Sequence, residues 1–126
     1  MQDFRQLIVW QRAHTFAVDV RRATRAFPRT GYSEFKSQIT RAADSIASNI
    51  VEGAGAATRK EFARFLDISI KSASEVDYRL ELAHDNGIMS YDVWTRLARE
   101  VVVIRKMLFA LRRTLLAADA IRGSRP

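Results

Sequence analysis

Glu81-Leu-Ala-His84 has the Glu-x-x-His spacing with which a helix presents a carboxylate and an imidazole to a di-iron or di-manganese centre. Such a centre takes two copies of the motif and an inward glutamate from each remaining helix. The other histidine, His14, has Gln11 where the second glutamate would stand, so no metal site is expected. Two histidines can also ligate a haem, but no attachment motif accompanies either one, and no cofactor is expected. Ser45 has Glu52 two turns away and no histidine on its helix, which makes it a poor nucleophile and a better interhelical hydrogen-bond donor. The Gly53–Gly55 stretch lacks the strand and the lysine of a phosphate-binding loop. Carboxylates are not paired for general acid-base work. With no cysteine among the 126 residues, disulfides, thiolate metal sites and a cysteine nucleophile are excluded. The expected protein is not an enzyme.

Arginine carries the remaining chemistry. Net charge is +7 and unevenly spread. Residues 1–32 hold six Arg against two Asp, and residues 88–126 hold eight Arg or Lys against three acids, while 33–57 and 58–87 each come to −1. An antiparallel arrangement is expected to bring the two basic parts into one field that favours polyanions. Arg12, Arg21, Arg22 and Arg25 in the first part, with Arg105, Arg112 and Arg113 in the last, are the expected nucleic-acid contacts. The guanidinium fork suits bidentate phosphate binding. No helix-turn-helix and no aromatic-bearing sheet accompanies these residues, so the expected recognition is of backbone and shape, without a base code.

The elements that must position these side chains are helices. Hydrophobic content is 48%, with five Gly and two Pro, too few turn formers for a β-sandwich of this length. Trp10, Ala13, Ala17, Val20, Thr24 and Phe27 mark a first helix over about 5–26, ended by Pro28. A second spans about 33–53, with Ser33 as N-cap and glycine at its C-cap. Thr58-Arg-Lys-Glu61 reads as a capping box opening a third helix, 58–86, with Asp67–Lys71 and Glu75–Arg79 as i, i+4 ion pairs. Ser90 caps a fourth over 90–118, where Trp94, Leu97, Val101, Ile104, Leu108, Leu111 and Leu115 form a heptad seam. Residues 121–126 are expected to fray. Short connections make sequential neighbours antiparallel, so the predicted fold is an all-α, up-down-up-down four-helix bundle in one domain. No apolar run is long enough to span a bilayer and the start is no signal peptide, so the expected location is the cytoplasm.

Two features exceed what a single bundle core requires. Val102, Phe109 and Leu116 make a second apolar line on the fourth helix, readable either as an oligomer interface or as a broader core stripe. In the second helix, Ile39, Ala42, Ile46 and Ile50 share a face, and Ser45, Asn49 and Glu52 form a polar file among small residues. That combination suits a helix–helix contact of specified register. Gln38, Arg41, Ser45, Asn49, Glu52 and Gly53 are therefore assigned to architecture, with Ser45 and Asn49 satisfying each other or a neighbouring helix and Glu52 pairing with Arg41 or another base.

The order Leu7-Ile-Val-Trp10-Gln11-x-Ala13, Phe27-Pro28 and Gln38-Ile-x-Arg41-Ala-Ala-x-Ser45-Ile-x-x-Asn49-Ile-x-Glu52-Gly53 resembles the bacterial four-helix bundle proteins first named for intervening sequences in 23S ribosomal RNA genes. Glu61-Phe-x-Arg64-Phe-Leu-x-Ile68-Ser-x-x-Ser72-Ala-x-Glu75 continues it, so the resemblance covers nearly the whole chain. Two departures are Ser69-Ile-Lys71-Ser72, where the family has alanine-x-glycine-serine, and Tyr32-Ser-Glu-Phe35 before the second helix. The resemblance implies a bundle assembling as a ring, a pentamer, without enzymatic activity. A related branch, the accessory variability determinant of diversity-generating retroelements, implies nucleic-acid binding beside a reverse transcriptase. The expected function is thus a homo-oligomeric, nucleic-acid-binding bundle. The alternative is a scaffold for an acidic or helical protein partner, such as a reverse transcriptase to which it is an accessory subunit; there Val102, Phe109 and Leu116 would be the docking surface.

Overall fold

The computed structural model describes residues 2–123 and contains a short 3-10 turn, Phe4–Gln6, followed by four helices: α1 Ile8–Thr24, α2 Ser33–Ala54, α3 Arg59–Asp85 and α4 Tyr91–Gly123. α1 packs on α2 and α4, and α3 packs on α2 and α4; the diagonal pairs share no packed seam. This is the up-down-up-down bundle, with the α1–α2 and α3–α4 connections at one end. The α2–α3 connection lies at the other end, where Gln2 N–H donates to the Ala54 carbonyl at 3.1 Å.

The core is continuous and lies between the four stripes. Phe16 and Val20 of α1 meet Ile39, Ile46 and Ile50 of α2, Leu66, Val76 and Leu80 of α3, and Leu97, Ile104 and Leu108 of α4, all fully buried. Trp94, Leu111 and Leu115 extend the α4 seam as half-buried neighbours of that core.

The helix ends differ from the sequence expectation where local hydrogen bonds intervene. α1 begins at Ile8 rather than Arg5 because Asp3 accepts from the Arg5 N–H at 3.0 Å, closing a separate turn, and Leu7 is extended. It ends at Thr24 because Arg25, Ala26 and Phe27 donate to residues three positions back, tightening the chain ahead of Pro28. Ser33 is the first helical residue of α2 and not its cap; the cap position is Tyr32, which makes no side-chain bond. Thr58 does cap α3, its hydroxyl accepting from the Glu61 N–H at 3.1 Å, while the Glu61 carboxylate makes no return bond among the described residues. α3 closes with Gly87 at φ +72, its N–H donating to His84 and that of Ile88 to Ala83, a Schellman ending. α4 continues past residue 118 through Gly123, so Ile121 is helical; Ser124–Pro126 lie outside the described residues. Just past the expected end, Asp119 meets Arg59 of α3 at 3.8 Å.

Candidate nucleic-acid interface

Four of the seven expected arginine contacts are engaged by the protein itself. Arg12 on α1 grips Glu100 on α4 with both ends of its fork, Nε to Oε2 at 3.0 Å and Nη2 to Oε1 at 2.7 Å. That hydrogen bond, and then the charge of Glu100, hold the Arg12 pKa above its ordinary value. Arg21 is ion-paired with Asp44 on α2. Arg112 donates to Asp67 of α3 at 2.6 Å, which replaces the expected Asp67–Lys71 pair, and Arg105 reaches Ser74 at 3.4 Å. Arg96 adds a further cross-helix pair with Asp19 at 3.2 Å. The expected Glu75–Arg79 pair is formed at 3.1 Å.

Arg22, Arg25 and Arg113 make no ion pair among the described residues, and the bundle does not bring them together. Arg12–Glu100 and Asp19–Arg96 mark an antiparallel register in which the end of α1 lies beside the start of α4. Arg113 is therefore some 20 residues further along α4, about 30 Å away at 1.5 Å per residue. The expectation of a single field from the first and last basic segments fails for this reason: antiparallel packing separates their C-terminal halves.

Two cations outside the expected set join Arg25 instead. Arg29, just past Pro28, and Lys36, in the first turn of α2, line the same notch, together with Thr24, Phe27, Tyr32 and Ser33. The signal was present as five bases, Arg21, Arg22, Arg25, Arg29 and Lys36, against Glu34 alone over residues 21–36. A helix-by-helix reading divides that run at Pro28.

The second apolar line of α4 faces outward. Phe109 is 45% exposed, and Val102 and Leu116 are half-buried. Arg99, Lys106 and Arg113 run beside it at seven-residue spacing, all exposed. Toward the start of α4 the line opens into an apolar groove between Tyr91 and Val103, where the Thr95 hydroxyl is buried with no partner among the described residues.

The Gln38–Gly53 motif lies in the α2–α3 seam. Asn49 donates to the Ser45 hydroxyl at 3.0 Å and to its carbonyl at 2.9 Å, and Ser45 shares a hydrogen with Ser72 of α3 at 2.8 Å. Ser69, fully buried, donates to the Ile46 carbonyl at 2.9 Å. Gly53 is inside the helix and buried, where a Cβ would stand 2.7 Å from the Phe62 ring, so it serves close approach and does not cap. Gln38 is half-buried and Arg41 and Glu52 are exposed; the expected Arg41–Glu52 pair is absent among the described residues. Lys71 is exposed and leaves the seam to Ser69 and Ser72.

The histidines are stacked on indoles, His14 on Trp10 at 4.9 Å and His84 on Trp94 at 4.1 Å. Among the described residues no group of three or more His, Cys, Asp or Glu side chains is placed to hold a metal ion. Nor is any helix among them long and apolar enough to cross a membrane.

The fold has a solved counterpart. A protein of unknown function from the S23 ribosomal protein family of Bacteroides thetaiotaomicron VPI-5482 superposes with a TM-score of 0.76 at 25% identity, covering 83% of this chain and 98% of that one. No curated protein matches the chain. Residues 5–110 match the family model of the 23S rRNA-intervening sequence protein. The match takes in the α2–α3 seam, the notch and most of α4, and the chain thus belongs to the 23S rRNA-intervening sequence protein family.

Proposed function

We propose that the protein is a non-enzymatic, cytosolic bundle that binds nucleic acid through phosphate contacts and assembles with copies of itself. The observation that carries the binding is a cluster of cations at one end: Arg12, Arg21, Arg96 and Arg112 are each held by a carboxylate of a neighbouring helix, whereas Arg25, Arg29 and Lys36 line one notch, with Arg22 a turn before it, and none of these four has an ion pair among the described residues. Unpaired cations on a surface are the electrostatic footprint of a polyanion. Self-assembly is supported by the outward apolar line Val102, Phe109 and Leu116, and a ring of five is the assembly expected from the family resemblance. In such a ring each copy would present its basic end in the same direction.

Fluorescence-anisotropy titration with structured RNA, duplex DNA and an RNA–DNA hybrid tests the binding. Affinity is expected to fall linearly in log-log form between about 50 and 200 mM salt, with a slope near −0.9 per phosphate neutralised on duplex DNA. Reversing Arg22 and Arg25 to Glu should weaken all three ligands alike, while reversing Arg12 should act on stability. No binding at low salt would refute the reading. Native mass spectrometry of wild type and Phe109→Asp tests assembly; an unchanged oligomer in the variant removes α4 as its interface.

A protein-docking reading is favoured by one observation, the apolar groove at Tyr91–Val103 with its orphan Thr95 hydroxyl. A Val103→Glu variant that keeps its oligomer and its nucleic-acid affinity while losing an acidic helical partner would support it.

A further inference from the structure

We propose that the notch between the end of α1 and the start of α2 is a seat for a single phosphate group, held between Arg25 and Arg29 on one wall and Lys36 on the other. The inference rests on the nucleic-acid reading for its natural ligand, a phosphate on a strand. The chemistry of the seat is that of any phosphate ester or pyrophosphate.

Three observations carry it. First, three cations line one concavity and no carboxylate does; Glu34, the one acid in this segment, is exposed outside it. Like charges held at one site repel, and at Arg12, Arg21, Arg96 and Arg112 the chain offsets the cation with an acid of a neighbouring helix. In the notch, whose three cations are exposed to solvent, an external anion would take the place of the missing acid.

Second, the walls are held in place before any ligand arrives. Thr24 Oγ1 donates to the Arg21 carbonyl at 2.8 Å and the Phe27 N–H to Thr24 at 3.1 Å. Phe27 is buried, at 7% exposure, and its ring lies 5.9 Å from that of Phe35, tying the loop to α2. Pro28 fixes its own φ, and Gly31 turns the chain at φ +92, a conformation that other residues rarely adopt. Anchors on both sides of the loop limit the ordering cost of binding.

Third, the α2 N-terminus opens on the same notch uncapped. Tyr32 makes no cap bond, and the Ser33, Glu34 and Phe35 N–H groups have no acceptor among the described residues. They supplement the side chains, which by themselves define the seat. The notch has room for a phosphate with its sugar, and Tyr32 at its edge offers a ring to the sugar or base.

The test uses the full chain in two arms. In the first, inorganic pyrophosphate is titrated while backbone amides are followed by NMR, for wild type and Arg25→Gln/Lys36→Gln. Saturable shifts confined to residues 24–36, weakened about tenfold or more in the variant, are expected on losing two charge-assisted contacts. Non-saturating shifts spread over all cations, or equal affinity in the variant, would overturn the seat. Circular dichroism of the variant confirms folding, which both exposed positions should leave intact.

The second arm compares one RNA sequence with a 5′-phosphate and with a 5′-hydroxyl. Preference for the phosphorylated strand, lost in the variant, assigns a terminal phosphate. Equal affinity, reduced by the variant for both, assigns an internal diester. The two readings separate cleanly. Pyrophosphate in the notch with no RNA binding at low salt refutes the nucleic-acid function alone, and RNA binding that is indifferent to the variant refutes the seat alone.

Discussion

The α2–α3 seam and the α1–α4 seam join helices of one bundle by opposite means. In the first, a glycine lets Phe62 and Phe65 press onto the α2 backbone, and short hydroxyls bond across the seam, Ser69 to the Ile46 carbonyl where water is excluded and Ser45 to Ser72 at a half-buried position. In the second, long side chains reach over the surface, Arg12 to Glu100 and Arg96 to Asp19, with the arginine side chains 42% and 56% exposed. A buried contact of small groups admits one register, because any slip strands a polar group or collides a ring with the backbone. A surface ion pair tolerates slippage, since water replaces whatever it loses. The difference shows where the bundle concentrates its sequence specificity: on the α2–α3 motif.

The comparison is tested most severely at Gly53. A valine there would put its Cβ 2.7 Å from the edge of the Phe62 ring, which is fully buried, and 3.1 Å from the Phe65 Cβ. Overpacking of this kind costs about 1–3 kcal/mol, and the β-branch adds strain, so Gly53→Val should sit at the upper end, near 3 kcal/mol, by chemical denaturation. Gly55, two residues on, has φ −84, and a Cβ there would meet only ordinary contacts, the nearest atom at 3.6 Å. Gly55→Ala should therefore lie within about 0.5 kcal/mol of wild type. Equal effects at the two glycines would show that close approach is not what fixes this seam.

Ser69→Ala removes the buried hydrogen bond to the Ile46 carbonyl at the cost of one small void. About 1 kcal/mol is expected, and because the bond is shielded the loss should be the same at low and high salt. A salt-dependent loss, or none, would make Ser69 a space filler.

The helices and the core were legible because both depend on periodicity. The face of α2, the α4 seam and the Thr58 cap follow from spacing and capping chemistry that act over a few residues. The Ser45–Asn49 contact was legible as well, since i and i+4 share a helix face. What was not legible depends on three dimensions. Asp67 looked bound to Lys71 on its own helix and is bound to Arg112 on the next, where the side chains converge at closer range. The arginines of α1 and α4 looked like one field, and chain direction places their C-terminal groups at opposite ends. Gly53 and Gly55 read alike as stop signals; Gly55 takes the cap position, while the ring that requires Gly53 lies in another helix. The notch escaped because its cations straddle the Pro28 break that divides the chain into elements.

The smallest effect is expected at Arg12 and Glu100, where a double-mutant cycle isolates the pair. Arg12→Ala, Glu100→Ala and the double variant should give a coupling of about 0.2–1 kcal/mol, toward the top of that range because the contact is bidentate. Raising salt to about 1 M, where the Debye length is near 3 Å, should erase most of it. The pH dependence follows from the sign of the Arg12 shift. Its folded pKa lies above the unfolded one, so its contribution is fully present below the unfolded value and is lost only as pH rises through the raised folded value, in strong alkali. Across neutral pH the coupling should stay flat. A coupling that survives high salt would mean that Glu100 and Arg12 are shielded in an assembly, and the α1–α4 seam would then resemble the α2–α3 seam more than the single chain indicates.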